Sequence, residues 1–78
     1  SGEQGILITD VSPNSPAAKA GIQVGDVILK LNNQEGISAR EMMQIIANTQ
    51  PNTQVMVTIV RLGRMFDLPV MVEELPSN

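Results

Sequence analysis

The chain has 78 residues and a net charge of −3, with 42% apolar residues, Phe66 as its one aromatic residue, and neither Cys nor His. That length supports one domain, whose core must be assembled from Ile, Leu, Val and Met. The charge balance excludes a phosphate-neutralising nucleic-acid binder and an anionic-membrane binder, and without His or Cys the common nucleophile–base pairs, disulfides and thiolate metal sites are excluded too.

Ser1-Gly2 reads as a cloning scar, and residues 1–4 as tag remnant and linker. Gly5 to Val11 (Gly-Ile-Leu-Ile-Thr-Asp-Val) is β-branched and mostly apolar, the composition of a strand with a buried face. A short helix is predicted at Pro16–Ala20. Ser15 suits the N-cap, Pro16 suits the first helical position, and Gly21 can take the left-handed conformation that ends a helix. Gly25-Asp26 is a turn pair, with Asp26 fixing the turn. Asp26 to Asn32 reads as the next strand, closed by the Asn32-Asn33 turn, and Glu35-Gly36-Ile37 as a short extended piece.

Ser38 and Glu41 have the spacing of a capping box and open a long helix running to about Asn48, stopped before Pro51. Gln54 to Arg61 is a strand in which Val55, Val57 and Ile59 alternate with Met56, Thr58 and Val60, leaving Met56 and Val60 on the less committed face. Leu62-Gly63-Arg64 turns the chain into a returning strand from Met65 to Glu73. Pro69 within it marks an edge position or a bulge, because proline cannot donate to a ladder. Residues 76–78 form a C-terminal tail. No stretch is long and apolar enough for a transmembrane helix, so direct membrane insertion is not expected. Arg40, Lys30, Arg61 and Arg64 read as solvated surface.

The long helix carries more apolar residues than one buried stripe requires. Ala39, Met43 and Ile46 share one face at spacing i, i+4, i+7, and Met42 and Ile45 share another with Thr49. One face must cover the sheet, and Met42 and Ile45 suit it. The other is either further core or an apolar groove. Met is common in both settings, so methionine content does not decide between them.

The run Val11 to Leu29, Val-Ser-Pro-Asn-Ser-Pro-Ala-Ala-Lys-Ala-Gly-Ile-Gln-Val-Gly-Asp-Val-Ile-Leu, resembles the signature of PDZ domains attached to bacterial HtrA-type proteases. The resemblance covers Gly5 to about Asn78. Ala20–Val24, the helix start at Ile37 and the acidic-Pro-x-Asn ending are similar to the membrane-anchored, DegS-type stress-sensor branch. It implies an α+β fold: a small, partly open PDZ-like β-sandwich or barrel with one short and one long helix in the permuted bacterial strand order. The PDZ domain would span residues 5–75. The Tyr-hydrophobic-Gly-hydrophobic carboxylate loop and the first, peptide-pairing strand of the family are missing from this sequence, so an N-terminally truncated domain is expected.

The resemblance also implies function. Ala39, Met43 and Ile46 fall where PDZ domains line their peptide pocket, and Ala39 replaces a polar residue some of them use to select Ser or Thr. Apolar ligand side chains are therefore expected. The chain would be a non-enzymatic regulatory module, without cofactor or metal, of a periplasmic serine endopeptidase anchored to the inner membrane and assembled as a homotrimer. Its partners would be C-terminal peptides of misfolded or unassembled outer-membrane proteins, whose binding activates proteolysis in the envelope stress response, and its own protease domain. The alternatives are a substrate-filtering domain of another quality-control protease of the group or of a site-2 metalloprotease, which share the Ala-Gly-Ile-x-x-Gly-Asp pattern, and a purely structural packing domain. An open sheet edge beside an apolar helix face also favours self-association of the chain.

Overall fold

The computed structural model describes residues 5–74, in the order β1 (Ile6–Leu7), α1 (Pro16–Ala20), β2 (Val27–Leu31), β3 (Gln34–Glu35), α2 (Ala39–Ala47), β4 (Gln54–Arg61) and β5 (Arg64–Met71). The α+β order expected from the sequence is observed, with both helices at their predicted places. The proposed tag remnant and the tail at 76–78 lie outside the described residues. The strands form one open, wholly antiparallel sheet in the order β1-β2-β4-β5, with β3 folded back onto β2. Pro69 lies on β5, an edge strand, as its missing N–H requires.

Caps set both helices. Ser15 Oγ accepts the Ala18 N–H at 3.1 Å, and Pro16 occupies the first turn of α1. Gly21 ends it with φ +94°, a conformation that costs glycine nothing. The predicted strand Gly5–Val11 shortens to Ile6–Leu7, a correction with a clear cause. Ile8 still exchanges hydrogen bonds with the segment leading into β2, donating to Asp26 O and accepting from Gly25 N–H, both at 2.8 Å. There that segment turns away at Gly25 (φ +97°), so nothing remains for Thr9 to Val11 to pair with. Similarly, Glu35-Gly36-Ile37 is not one extended piece: Gln34–Glu35 pairs with β2, and the chain turns at Gly36 with φ +70°.

The core is Ile22, Ile28, Leu31, Val55, Val57, Ile59, Val70 and Val72, with Ile59 wholly inaccessible. Burying side chains of this size stabilises the fold by about 1.5–3 kcal/mol each. The alternation of β4 holds, with one exception. Thr58 is buried on the outer face, where its hydroxyl donates to Asp67 Oδ1 at 2.7 Å.

Arg61 departs from its reading as solvated surface. Its Nε donates to Asp26 Oδ1 at 2.8 Å, and its Nη2 donates to Asp26 Oδ2 at 2.7 Å and to Gly21 O at 2.8 Å. The guanidinium also lies over the Phe66 ring, 5.5 Å from its centroid. Asp26 is 1% exposed and accepts the Gln23 N–H as well, so it does fix its turn. The hydrogen bonds from Arg61 hold the Asp26 carboxyl below the usual carboxylate range, although burial opposes them. One ion pair thus fastens the start of β2, the end of α1 and the end of β4.

Candidate functional site

The candidate site is built on α2, whose start is fixed locally. Ser38 Oγ accepts the Glu41 N–H at 3.1 Å, and Glu41 Oε1 accepts the Ser38 N–H at 2.9 Å. These two bonds satisfy donors that a bare helix start would leave open, and the Ser38 N–H, helped by the Ser38 hydroxyl, holds the Glu41 carboxyl below its ordinary pKa. At the other end Thr49 Oγ1 donates to Ile45 O at 2.6 Å. Every hydrogen bond of residues 38–49 among the described residues is internal to this segment. Side-chain packing of Met42, Ile45 and Ile46, with Ile37 before the helix, seats α2 on the core.

The helix therefore has two apolar faces with different surroundings. Met42, Ile45 and Thr49 are half-buried, matching the core face read from the sequence. Of the three residues expected to line a pocket, Ala39 and Met43 face solvent, Met43 with 68% of its surface exposed, whereas Ile46 packs against the core. At about 100° per residue, Ile46 lies between Met42 and Met43. It therefore sits at the boundary of the two faces, half-buried against the core. Arg40, Gln44 and Ala47 complete the exposed side.

This arrangement offers an apolar surface on a rigidly started helix. It offers no reactive group: no carboxylate pair faces this side, and the described residues contain no cluster of three metal-ligating side chains. A thioether and two aliphatic groups can bind an apolar side chain by burial but cannot perform acid–base or nucleophilic chemistry.

Residues 1–60 match the model of a family described as PDZ domain. Over its whole length the chain is 77% identical to serine endoprotease DegS of Haemophilus influenzae, of which it covers 23%. It is 40% identical over 95% of its length to a probable periplasmic serine endoprotease, DegP-like, of Chlamydia muridarum, covering 15% of that protein. The chain thus spans less than a quarter of the curated relatives it matches. Among solved structures it superimposes on the HtrA-type protease AlgW with tripeptide at a TM-score of 0.87 and 33% identity, covering 100% of this chain and 26% of that one.

Proposed function

The chain belongs to the PDZ domain family, and we propose that it is the peptide-binding, regulatory module of a DegS-like serine endopeptidase of the periplasm. The observation that carries this reading is the exposed apolar face of α2 at Ala39 and Met43, on a chain similar to a protease solved with a peptide. An extended peptide adds a strand to a sheet and lays alternate side chains against the helix. Ala39 and Met43, with Ile46 at the boundary of their face, would accept an apolar side chain of such a peptide. Backbone N–H groups of a carboxylate loop outside this sequence would hold the peptide's terminal carboxylate.

Unassembled outer-membrane proteins with apolar C-termini are the ligand class this reading names. Their binding would shift the attached catalytic part toward its active state in the envelope stress response. Such a shift requires different contacts in the two states, and a helix joined to the sheet by apolar packing alone is suited to it. The catalytic groups would lie elsewhere in the polypeptide, which we read as anchored to the inner membrane and trimeric. The similarity to a DegP-like protease supports a second reading, in which the domain filters substrates for a quality-control enzyme.

The test is calorimetric titration with a peptide bearing an apolar free C-terminus, and with its C-amidated counterpart. It is run on this chain and on a form extended upstream through the parent's own sequence. Binding by the extended form that amidation abolishes is the expected result. No binding by either folded form would refute the proposal and favour a packing role.

A further inference from the structure

We propose that the outer face of the sheet pairs with a second copy of this chain, about a two-fold axis that runs along β4. The face is read from the strand register. Lys30 of β2 lies opposite Thr58 of β4, and Thr58 lies opposite Asp67 of β5. Residues directly opposite in an antiparallel ladder share a face, and the 2.7 Å bond from Thr58 Oγ1 to Asp67 Oδ1 shows those two side chains together on it. The flanking rows are apolar: Val27, Val60 and Met65 on one side, Met56 and Pro69 on the other. Helix α2 packs on the opposite, core side through Met42, Ile45 and Ile46. The outer face is therefore open, with Met65 62% and Met56 38% exposed. A sheet face in water is ordinarily polar. Across β2, β4 and β5 this one carries two charges, Lys30 and Asp67, set in an uncharged surface.

The placement of those charges selects the occupant. Lys30 and Asp67 stand one strand to either side of Thr58, at the usual spacing of about 4.8 Å. A copy turned by 180° about an axis along β4 lays its β5 over β2 and its β2 over β5. Lys30 of each copy then meets Asp67 of the other, twice in one contact. A residue on a two-fold axis meets itself, so it must be uncharged, and the outward residues of β4 include Met56, Thr58 and Val60. Off the axis, Val27 meets Met65. An axis across the strands would instead set Lys30 against Lys30 and Asp67 against Asp67, a costly juxtaposition. Strands of packed sheets stay within about 30° of each other, which an axis along β4 satisfies.

Both charges are available for such a contact. Asp67 is exposed, uses Oδ1 for Thr58, and makes no ion pair among the described residues. Lys30 has Glu35 at 3.6 Å, longer than a good hydrogen bond. Thr58 is 4% exposed and its hydroxyl already has an acceptor, so closing the centre of the face leaves no donor unsatisfied there. The footprint is small. Three strands by five residues cover roughly 14 by 17 Å, which puts the pair among weak contacts of less than about 1,200 Å² in total. The dimer therefore forms and dissociates with concentration. Helix α2 of both copies faces away from the contact, so pairing and the proposed peptide binding are independent of each other.

Sedimentation equilibrium of the 78-residue chain, from about 10 μM to about 1 mM, should show a monomer–dimer equilibrium that added salt weakens. Lys30→Asp and Asp67→Lys should each weaken it about tenfold or more, because like charges then face each other across the axis. An equimolar mixture of the two variants should pair again, since each supplies the charge that the other lacks, and a chain carrying both changes should pair with itself. A monomer throughout the range would overturn the proposal. So would self-association that neither reversal weakens, which would assign it to the sheet edge or to α2, and so would a mixture that stays monomeric. Cross-linking provides a second test that needs no charge reversal, because the chain has no cysteine of its own. With a short bismaleimide, Met56→Cys on the axis should give covalent dimers and Ala47→Cys on α2 should not. Equal cross-linking of the two would also overturn the assignment.

Discussion

The sheet with α1 and the helix α2 belong to one small domain but are joined to it by different means. The sheet side combines a buried apolar core, a continuous antiparallel ladder, and the Asp26–Arg61 pair with its link to Gly21. Helix α2 has its own cap and its own hydrogen bonds, and it meets the core through Ile37, Met42, Ile45 and Ile46. Apolar contact has no direction, so a helix held this way can roll or shift at small cost, whereas the stapled sheet cannot. Elements that bind and move come from the less stable end of a structure, and here the candidate site lies on that element. A firm scaffold carrying a separately capped, lightly seated helix is an arrangement in which a ligand can change the position of one part without unfolding the other.

The firmest region should fail most severely when cut. Ile59→Ala removes a wholly inaccessible side chain and should cost about 2–5 kcal/mol, measured by urea unfolding; a loss under 1 kcal/mol would mean that the sheet side is not the firm half. Arg61→Ala leaves the buried Asp26 carboxylate without its counter-charge and should destabilise less than Ile59→Ala but clearly. The pH dependence has a definite sign. The folded pKa of Asp26 lies below its ordinary value near 3.8, so its contribution is complete above that value and is lost as pH falls through the folded pKa. Asp26→Asn should flatten this acid limb, which unfolding curves between neutral pH and about pH 3 will show.

Much of this contrast was legible in the residues. The Ser38–Glu41 spacing and the Ser15-Pro16 start announce both helices because capping acts within one turn. The face carrying Met42 and Ile45 follows from helical period. The Arg61–Asp26 pair joins residues 35 apart and exists because β2 and β4 pair at Val27 and Val60. An Asp opening one strand and an Arg closing its neighbour were the available signal, useful only once the register is known. The short β1 depends on where its partner turns, which is again not a local property. Ile46 could have gone to either side, since the period places it between two faces and the roll of the helix on the core decides.

Smaller effects belong to α2. Ser38→Ala removes one capping bond and should cost about 1 kcal/mol, detectable as a modest fall in thermal midpoint that leaves the sheet signals in place. Met43→Ser should be the mildest for the fold, within about 0.5 kcal/mol, because the side chain is exposed. The same change should weaken peptide binding several-fold in the upstream-extended form. Marked destabilisation by Met43→Ser with unchanged affinity of the folded domain for the peptide would reverse the roles assigned to the two faces.

The most direct measurement uses the methyl NMR signals of the chain's five methionines, Met42, Met43, Met56, Met65 and Met71. In the upstream-extended form, titration with a peptide bearing an apolar free C-terminus should move the Met43 signal most and Met42 less, while Met56, Met65 and Met71 stay in place. The amidated peptide should move none of them. A saturable shift of the β4–β5 methionines with Met43 unmoved would contradict the account, because it would place the ligand on the firm half of the molecule.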